Sequence, residues 1–168
     1  MLIREAILSD YSGIAKVHVD CWLNSYQGVL PKNLLQDLSY REREDLWKKI
    51  LLNDKVWIVE NDDSDIVGFV HGGIKRTSQY EQFQGEIYAL HILKDYQNLG
   101  LGRMLIRTLL DDLKEHNISS LMISVFEEDT HCTFYENLGA ERVDCIDVEF
   151  DGQIIKEAVY GWEALTQI

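Results

Sequence analysis

The sequence predicts a single α/β domain of the α+β kind, with about seven strands in a mixed, mostly antiparallel central sheet flanked by helices. Three observations predict it. Short runs rich in β-branched and aromatic residues recur along the chain, at Leu2–Ala6, Val56–Glu60, Ile66–Ile74, Glu86–Ile92, Leu121–Val125, Glu141–Phe150 and Gln153–Trp162. Between the fourth and fifth runs, Leu101, Leu105, Leu109 and Leu113 repeat on helical spacing, which makes a βαβ unit with one parallel crossover. Turn signals separate other pairs. Asn61-Asp62-Asp63-Ser64-Asp65 and the Asp-Gly pair at 151–152 predict hairpins, hence antiparallel neighbours.

The elements follow in order. After the first strand, Ser9 or Asp10 can cap a helix that carries Ile14, Val17, His18, Cys21 and Trp22 on one face. Leu23 to Asp37 reads as a connecting stretch, where Gly28 and the sole proline, Pro31, break the period. Ser39-Tyr40-Arg41-Glu42 is a capping box opening a helix with Leu46, Trp47, Ile50 and Leu51. A polar loop, Lys75 to Gln84, precedes the Glu86 strand. The Leu121 strand is apolar on both faces, as in a buried parallel pair. A short helix from about Thr130 to Leu138 is stopped by Gly139.

Composition excludes several classes. The 168 residues suffice for one domain with a core, and no apolar run is long enough to span a membrane. The start of the chain reads as a strand and not as a signal peptide. Cys21, Cys132 and Cys145 are widely spaced and odd in number, which argues for free thiols in the cytoplasm and against a zinc site. Each reads as a small apolar core residue. The net charge of −13 disfavours nucleic acid and anionic membranes and mildly favours a cationic acceptor.

The stretch from Leu90 to Ile106 organises the chain. A strand runs into a short polar turn, then Gly100 and Gly102 open a helix. Such a turn gathers unpaired backbone N–H groups around one point, and the helix dipole adds positive charge, so it is a ready seat for phosphate. Arg103-Met104 follows Gly102 where a P-loop needs Lys-Ser/Thr, and Leu105 stands where a dinucleotide fingerprint needs a small residue. Both of those readings fail. Lys94, Arg103 and Arg107 offset the negative field locally.

Gln97-Asn98-Leu99-Gly100-Leu101-Gly102 resembles the pyrophosphate-binding signature Gln/Arg-x-x-Gly-x-Gly/Ala of the GNAT superfamily of N-acetyltransferases. Phe134-Tyr135-Glu136-Asn137-Leu138-Gly139-Ala140 is similar to the family's Phe-Tyr-x-x-x-Gly-Phe run, with Ala140 in place of the aromatic. Trp22 to Pro31, with Tyr26 and Gln27-Gly28 inside it, is similar to a segment of one bacterial subgroup. The resemblance covers nearly the whole chain. It implies a sheet splayed at the cofactor cleft, acetyl-CoA as acyl donor with no metal, an amine acceptor and a homodimer. Carried over residue by residue, it places Leu90, His91, Ile92, Gln97, Asn98, Leu99, Gly100, Leu101, Gly102 and Arg103 against coenzyme A. Glu128 and Asp129 stand where many members carry a cofactor-contacting asparagine; Asp129 can cap the following helix instead.

Acetyl transfer needs a polarised thioester, an amine that loses a proton and a thiolate that gains one. No Cys/His or Ser/His constellation is present, which suits direct attack by the amine. Glu86 matches the register of the family's general base, and Tyr135 matches the residue near the coenzyme sulfur. Strand alternation puts Tyr88 on the Glu86 face, where it can shape the acceptor pocket with Trp22 and Tyr26, and puts His91 on the opposite face. His71, His91 and His131 read as structural or surface histidines. Trp22, Trp47, Trp57 and Trp162 read as core, Trp22 also bordering the acceptor site. A catalytically silent acyl-CoA-binding module on the same fold is the alternative function.

Overall fold

A computed structural model of the chain describes residues 1–127, 132–150 and 152–165. Seven strands form one sheet in the order β1-β2-β3-β4-β5-β7-β6. They are β1 (Leu2–Glu5), β2 (Val56–Glu60), β3 (Ile66–Ile74), β4 (Gly85–Ile92), β5 (Leu121–Phe126), β6 (Glu141–Phe150) and β7 (Gln153–Trp162). Only β4 and β5 pair in parallel. Asp151 lies outside the described residues, but Gly152 adopts φ +76° and β6 pairs with β7 from Phe150–Gln153 onward, as a tight hairpin requires.

The helices are α1 (Tyr11–Ser25), α2 (Lys32–Gln36), α3 (Tyr40–Leu51), α4 (Leu101–Glu115) and α5 (Cys132–Glu136). Ser39 caps α3 as its sequence directs, with Oγ accepting from the Glu42 N–H at 3.3 Å. Asp10 precedes α1 but caps nothing there. Its carboxylate accepts from the Ile7 N–H and from Arg4, and those bonds hold it well below the usual carboxylate range, the Arg4 bond most of all. The stretch after Leu23 is less irregular than its sequence suggests. α1 continues to Ser25, and Pro31, whose ring fixes φ at a helix-compatible value, leads straight into α2. The start of the predicted Thr130 helix, with Asp129 as its cap, falls outside the described residues; α5 begins at Cys132. Gly139, at φ +83°, ends it.

Two apolar layers cover the sheet. α4 lies on one face and buries Leu105, Ile106, Leu109, Leu110 and Leu113 against Ile87, Ile123, Tyr160 and Trp162. At about 1.5–3 kcal/mol per fully buried side chain, this stripe alone holds the crossover helix in place. α1 and α3 cover the other face, where Ile14, Val17 and Trp47 meet Ile58 and Phe69. Cys21 joins this second core, Cys132 is half-buried, and Cys145 is exposed, so the apolar-core reading of the cysteines fails for Cys145. It sits on β6, one of the sheet's two edge strands, whose side chains are mostly in solvent. Trp47 and Trp162 are buried; Trp22 and Trp57 are half-buried.

Two irregularities in β4 set up the site. First, β4 and β5 pair only over Gly85–Leu121, Glu86–Met122 and Ile87–Ile123, yet β4 runs on to Ile92 and β5 to Phe126. Beyond Ile87 and Ile123 the two strands fork. Second, the β3–β4 register shifts so that His71 faces Ala89 and Gly72 faces Ile87. Tyr88 is therefore an extra residue, a β-bulge.

The bulge overturns one expectation. Strict alternation sends Glu86 and His91 to opposite faces, but the extra residue resets the alternation. Glu86 pairs with Gly73, and Ala89 and His91 pair with His71 and Phe69, so all three lie on the α1 face. Leu90 and Ile92 pack on the α4 face.

Candidate active site

The fork opens into a cavity of about 880 Å³. Its walls come from both sides of the sheet. On the α4 side are Leu90, Ile92, Leu101, Gly102, Val125, Phe134 and Tyr135. On the α1 side are Trp22, Tyr26, Tyr88, His91 and Phe126.

At the wide end sits the start of α4. Gln97 is held by its side-chain amide, which donates to the Ile92 carbonyl at 3.0 Å. Asn98 and Gly100 both have positive φ, +60° and +80°. The first intrahelical bond is Met104 N–H to the Gly100 carbonyl, so the N–H groups of Leu101, Gly102 and Arg103 come before the helical ladder begins. A Cβ added to Gly100 would meet nothing within 4 Å, so that glycine borders open space. Gly102 is different. A Cβ there would lie 2.9 Å from Phe134 Cζ and 3.5 Å from Ile92 Cδ1, so its smallness lets α4 pack tightly on Phe134. Arg103 lines the cavity; Lys94 and Arg107 do not.

At the narrow end, Tyr135 is 5% exposed and stacks on Tyr160, with ring centroids 6.1 Å apart. Tyr160 is the register partner of Ile123, the last β5 residue paired to β4, so Tyr135 lies level with the apex of the fork. Two bonds fasten α5 and the turn after it to β7. The Tyr160 hydroxyl donates to Glu136 Oε1 at 3.1 Å and Trp162 Nε1 donates to the Leu138 carbonyl at 3.0 Å.

Glu86 stands one residue below the apex and does not line the cavity. Its Oε2 accepts from the Arg76 N–H at 2.8 Å. Tyr88 lines the cavity and is locked from behind. Its hydroxyl donates to the Ile74 carbonyl, and the Arg76 guanidinium lies 3.5 Å from its ring centre. Asp54 bridges Arg76 and His71, at 3.0 Å each. Burial pushes the Tyr88 phenol up and the His71 imidazole down, so both are neutral at pH 7. His91 stacks on His18 at 5.2 Å. His18 accepts from Trp47 Nε1 at 3.2 Å through Nδ1, and burial, His91 and Arg43 push it down to about 3.

Comparison with known proteins agrees with this geometry. The sequence profile of the acetyltransferase (GNAT) family matches residues 18–140. An uncharacterized N-acetyltransferase of Bacillus subtilis, YuaI, is 36% identical over 166 residues, covering 99% of this chain and 95% of that one. The chain belongs to the GNAT acetyltransferase family. Solved GNAT-type structures share its fold at lower identity. The acetyltransferase yncA of Salmonella typhimurium, solved with acetyl-CoA, is 17% identical with a TM-score of 0.72, over 96% of this chain and 92% of that one. The PaiA N-acetyltransferase of Thermoplasma acidophilum, solved with coenzyme A, is 17% identical with a TM-score of 0.67, over 94% and 98%.

Within this GNAT domain the cavity gathers most of the residues singled out from the sequence. Leu90, His91, Ile92, Gln97, Asn98, Gly100, Leu101, Gly102, Arg103, Trp22, Tyr26, Tyr88 and Tyr135 all line it. Leu99 does not; it is 60% exposed. Glu128, Asp129 and His131 lie outside the described residues. Among the described residues no three His, Cys, Asp or Glu side chains come together to hold a metal, and no helix is long and apolar enough to cross a membrane. Sequence reasoning missed Ser124, Phe126 and Glu157. Glu157 carried a readable signal, because it alternates with Ile155 and Val159 on β7 and so shares an inward face with two apolar residues.

Proposed function

We propose that this N-acetyltransferase transfers the acetyl group of acetyl-CoA to a primary amine by direct attack. The observation that carries the reading is the alignment of the two ends of the fork. Free amides at the start of α4 suit a pyrophosphate, and Ile92 marks the same end. From Ile92 to Tyr88 is four strand steps, roughly 13 Å, a span that a pantetheine arm can bridge. The forked edges of β4 and β5 offer unpaired peptide groups to its amides. The thioester then arrives at the apex, level with Tyr135.

Each residue has a role that its position supports. Leu101, Gly102 and Arg103 hold phosphate through backbone N–H groups, and the Arg103 side chain adds charge. Gln97 shapes the turn. Tyr135 donates a proton to the departing thiolate. Glu86, one residue below the apex and on the acceptor side of the sheet, has Oε1 without a partner among the described residues. It takes the amine's proton through a water molecule, since it does not itself reach the cavity wall. Trp22, Tyr26 and Tyr88 wall the acceptor chamber. Small amines and polyamines, amine-bearing antibiotics and protein amines remain the acceptor classes compatible with the chemistry.

The test is release of free thiol from acetyl-CoA, followed across a panel of primary amines, with the acetylated product identified by mass. Transfer to at least one amine supports the reading. Tight acetyl-CoA binding with no transfer across the panel would make the chain a silent acyl-CoA-binding module.

A further inference from the structure

The α1 side of the cavity ends in the acceptor chamber, where Phe126 and Glu157 have no part in the mechanism above. Its wall is aromatic. Tyr26 and Trp22 meet Phe126 edge-on, with centroids 4.9 and 6.4 Å away, and Phe150 closes on Phe126 at 5.7 Å. Into the same cavity comes Glu157, the cross-strand partner of Phe126. It is the single carboxylate among the described residues that line the cavity.

The Glu157 side chain is half-buried and makes no hydrogen bond or ion pair with any described residue. That arrangement is unfavourable for the empty protein, because a carboxylate withdrawn from water loses hydration and here gains nothing in return. Burial accordingly raises its pKa. A cation seated beside it reverses the penalty, and the neighbouring aromatic faces attract a cation as well. Glu136, by contrast, is engaged by Tyr160, and Glu86 by the Arg76 amide. Among the described residues the Glu157 carboxylate has no such partner.

Its distance from the chemistry defines which cation it serves. The fork closes at Ile123, and Phe126, opposite Glu157, is three residues further along β5. That separation is on the order of 10 Å. A group there is too far to deprotonate an amine attacking at the apex. It is well placed for the other end of a flexible acceptor.

Resting on the proposed amine transfer, we infer that Glu157 and the Trp22–Tyr26–Phe126 wall form a specificity site for a second positive charge on the acceptor. The acceptor is therefore an organic dication, a diamine or longer polyamine, and not a simple monoamine. The net charge of −13 raises the local concentration of such a ligand.

The experiment compares a linear diamine with the monoamine of equal chain length, on wild type and Glu157→Gln. Glutamine keeps the shape and removes the charge. Two readouts are taken: binding of each amine by calorimetry to the protein with coenzyme A present, and steady-state transfer from acetyl-CoA. Loss of one charged contact predicts at least about tenfold weaker diamine binding and a matching rise in KM in Glu157→Gln, with kcat and monoamine binding little changed. Diamine and monoamine binding that respond equally to Glu157→Gln, or a diamine that binds no better than the monoamine to wild type, overturns the inference. Glu157-dependent diamine binding without any acetyl transfer upholds this site and removes the transfer reading instead. Full transfer to monoamines with no dependence on Glu157 does the reverse.

Discussion

Replacing Tyr135 with phenylalanine isolates one hydroxyl. The ring is 5% exposed and packs against Phe134, Tyr160 and Trp162, with centroids 5.1, 6.1 and 6.4 Å away. Phenylalanine retains those contacts, so the stability cost is at most that of one neutral hydrogen bond, about 0.5–1.5 kcal/mol. The catalytic cost is larger if the hydroxyl protonates the leaving thiolate. General-acid help is worth ~10²–10⁴-fold, so kcat is expected to fall by roughly 10²-fold, or about 2.7 kcal/mol of barrier. Acetyl-CoA affinity stays within about twofold, because the phosphate seat at α4 is untouched. Initial rates of thiol release at saturating acetyl-CoA and amine measure kcat. Calorimetry measures the affinity, and a urea melt the stability. The solvent deuterium isotope effect on kcat supplies a check that packing cannot mimic, since it changes only if the transferred proton is affected. A fall in kcat under about threefold, with the isotope effect unchanged, would refute the assignment and leave water as the proton donor. A rise in the Michaelis constant for acetyl-CoA at constant kcat would make Tyr135 a wall of the thioester site.

Gly100→Val puts a side chain at φ +80° that projects into open cleft, so its strain is local, about 1–2 kcal/mol, while acetyl-CoA binding is expected to weaken at least about tenfold by calorimetry. Unchanged affinity in the folded variant would move the phosphate seat elsewhere. Glu86→Gln keeps an acceptor for the Arg76 N–H and removes the base. kcat/KM is expected to fall roughly 10²-fold and to lose the enzyme's share of its rise with pH; a normal profile would leave Glu86 as the clasp of the Lys75–Gln84 loop. His18 titrates near 6.5 when unfolded and is pushed down to about 3 when folded, so below pH 6.5 the unfolded chain binds the extra proton. Its share of stability is complete above pH 6.5 and is lost progressively as pH falls toward 3, on the order of 2 kcal/mol by pH 4.5. Urea melts at pH 7 and 4.5 should show this drop, with His71 adding in the same direction, and His18→Gln should shrink it. An equal drop in the variant would assign the acid sensitivity to other groups.

The strand limits were legible because alternation and turn chemistry are local properties. Ile66–Ile74 and Gln153–Trp162 lie where their patterns place them. The turn that opens α4 was legible for the same reason: glycine at a strand–helix junction permits a left-handed backbone, and Gly100 adopts φ +80°. What escaped the sequence depended on partners distant along the chain. Gly102 reads as a gap for a ligand, but its Cβ space belongs to Phe134, thirty-two residues on. Alternation with Ile155 and Val159 turns Glu157 inward, but only pairing sets it opposite Phe126. The Tyr88 bulge has no local signature at all, since Glu-Ile-Tyr-Ala-Leu-His alternates well enough to look regular.

That unread bulge accounts for the cavity's position. It follows directly on Ile87, the last β4 residue paired to β5. A bulge bends its strand and increases the local twist, so the strand turns away from a neighbour that has no matching irregularity. β5 has none against β7; its register there is unbroken from Leu121 to Phe126. The two strands must therefore diverge at Ile87 and Ile123, and the fork opens where the extra residue sits. The same residue that parts the strands also turns its own ring toward the α1 side, where Arg76, Asp54 and His71 brace it. One insertion in the ladder thus sets the apex of the cleft and, under the proposed transfer, the face on which the amine would approach and the level at which Tyr135 would meet the thioester.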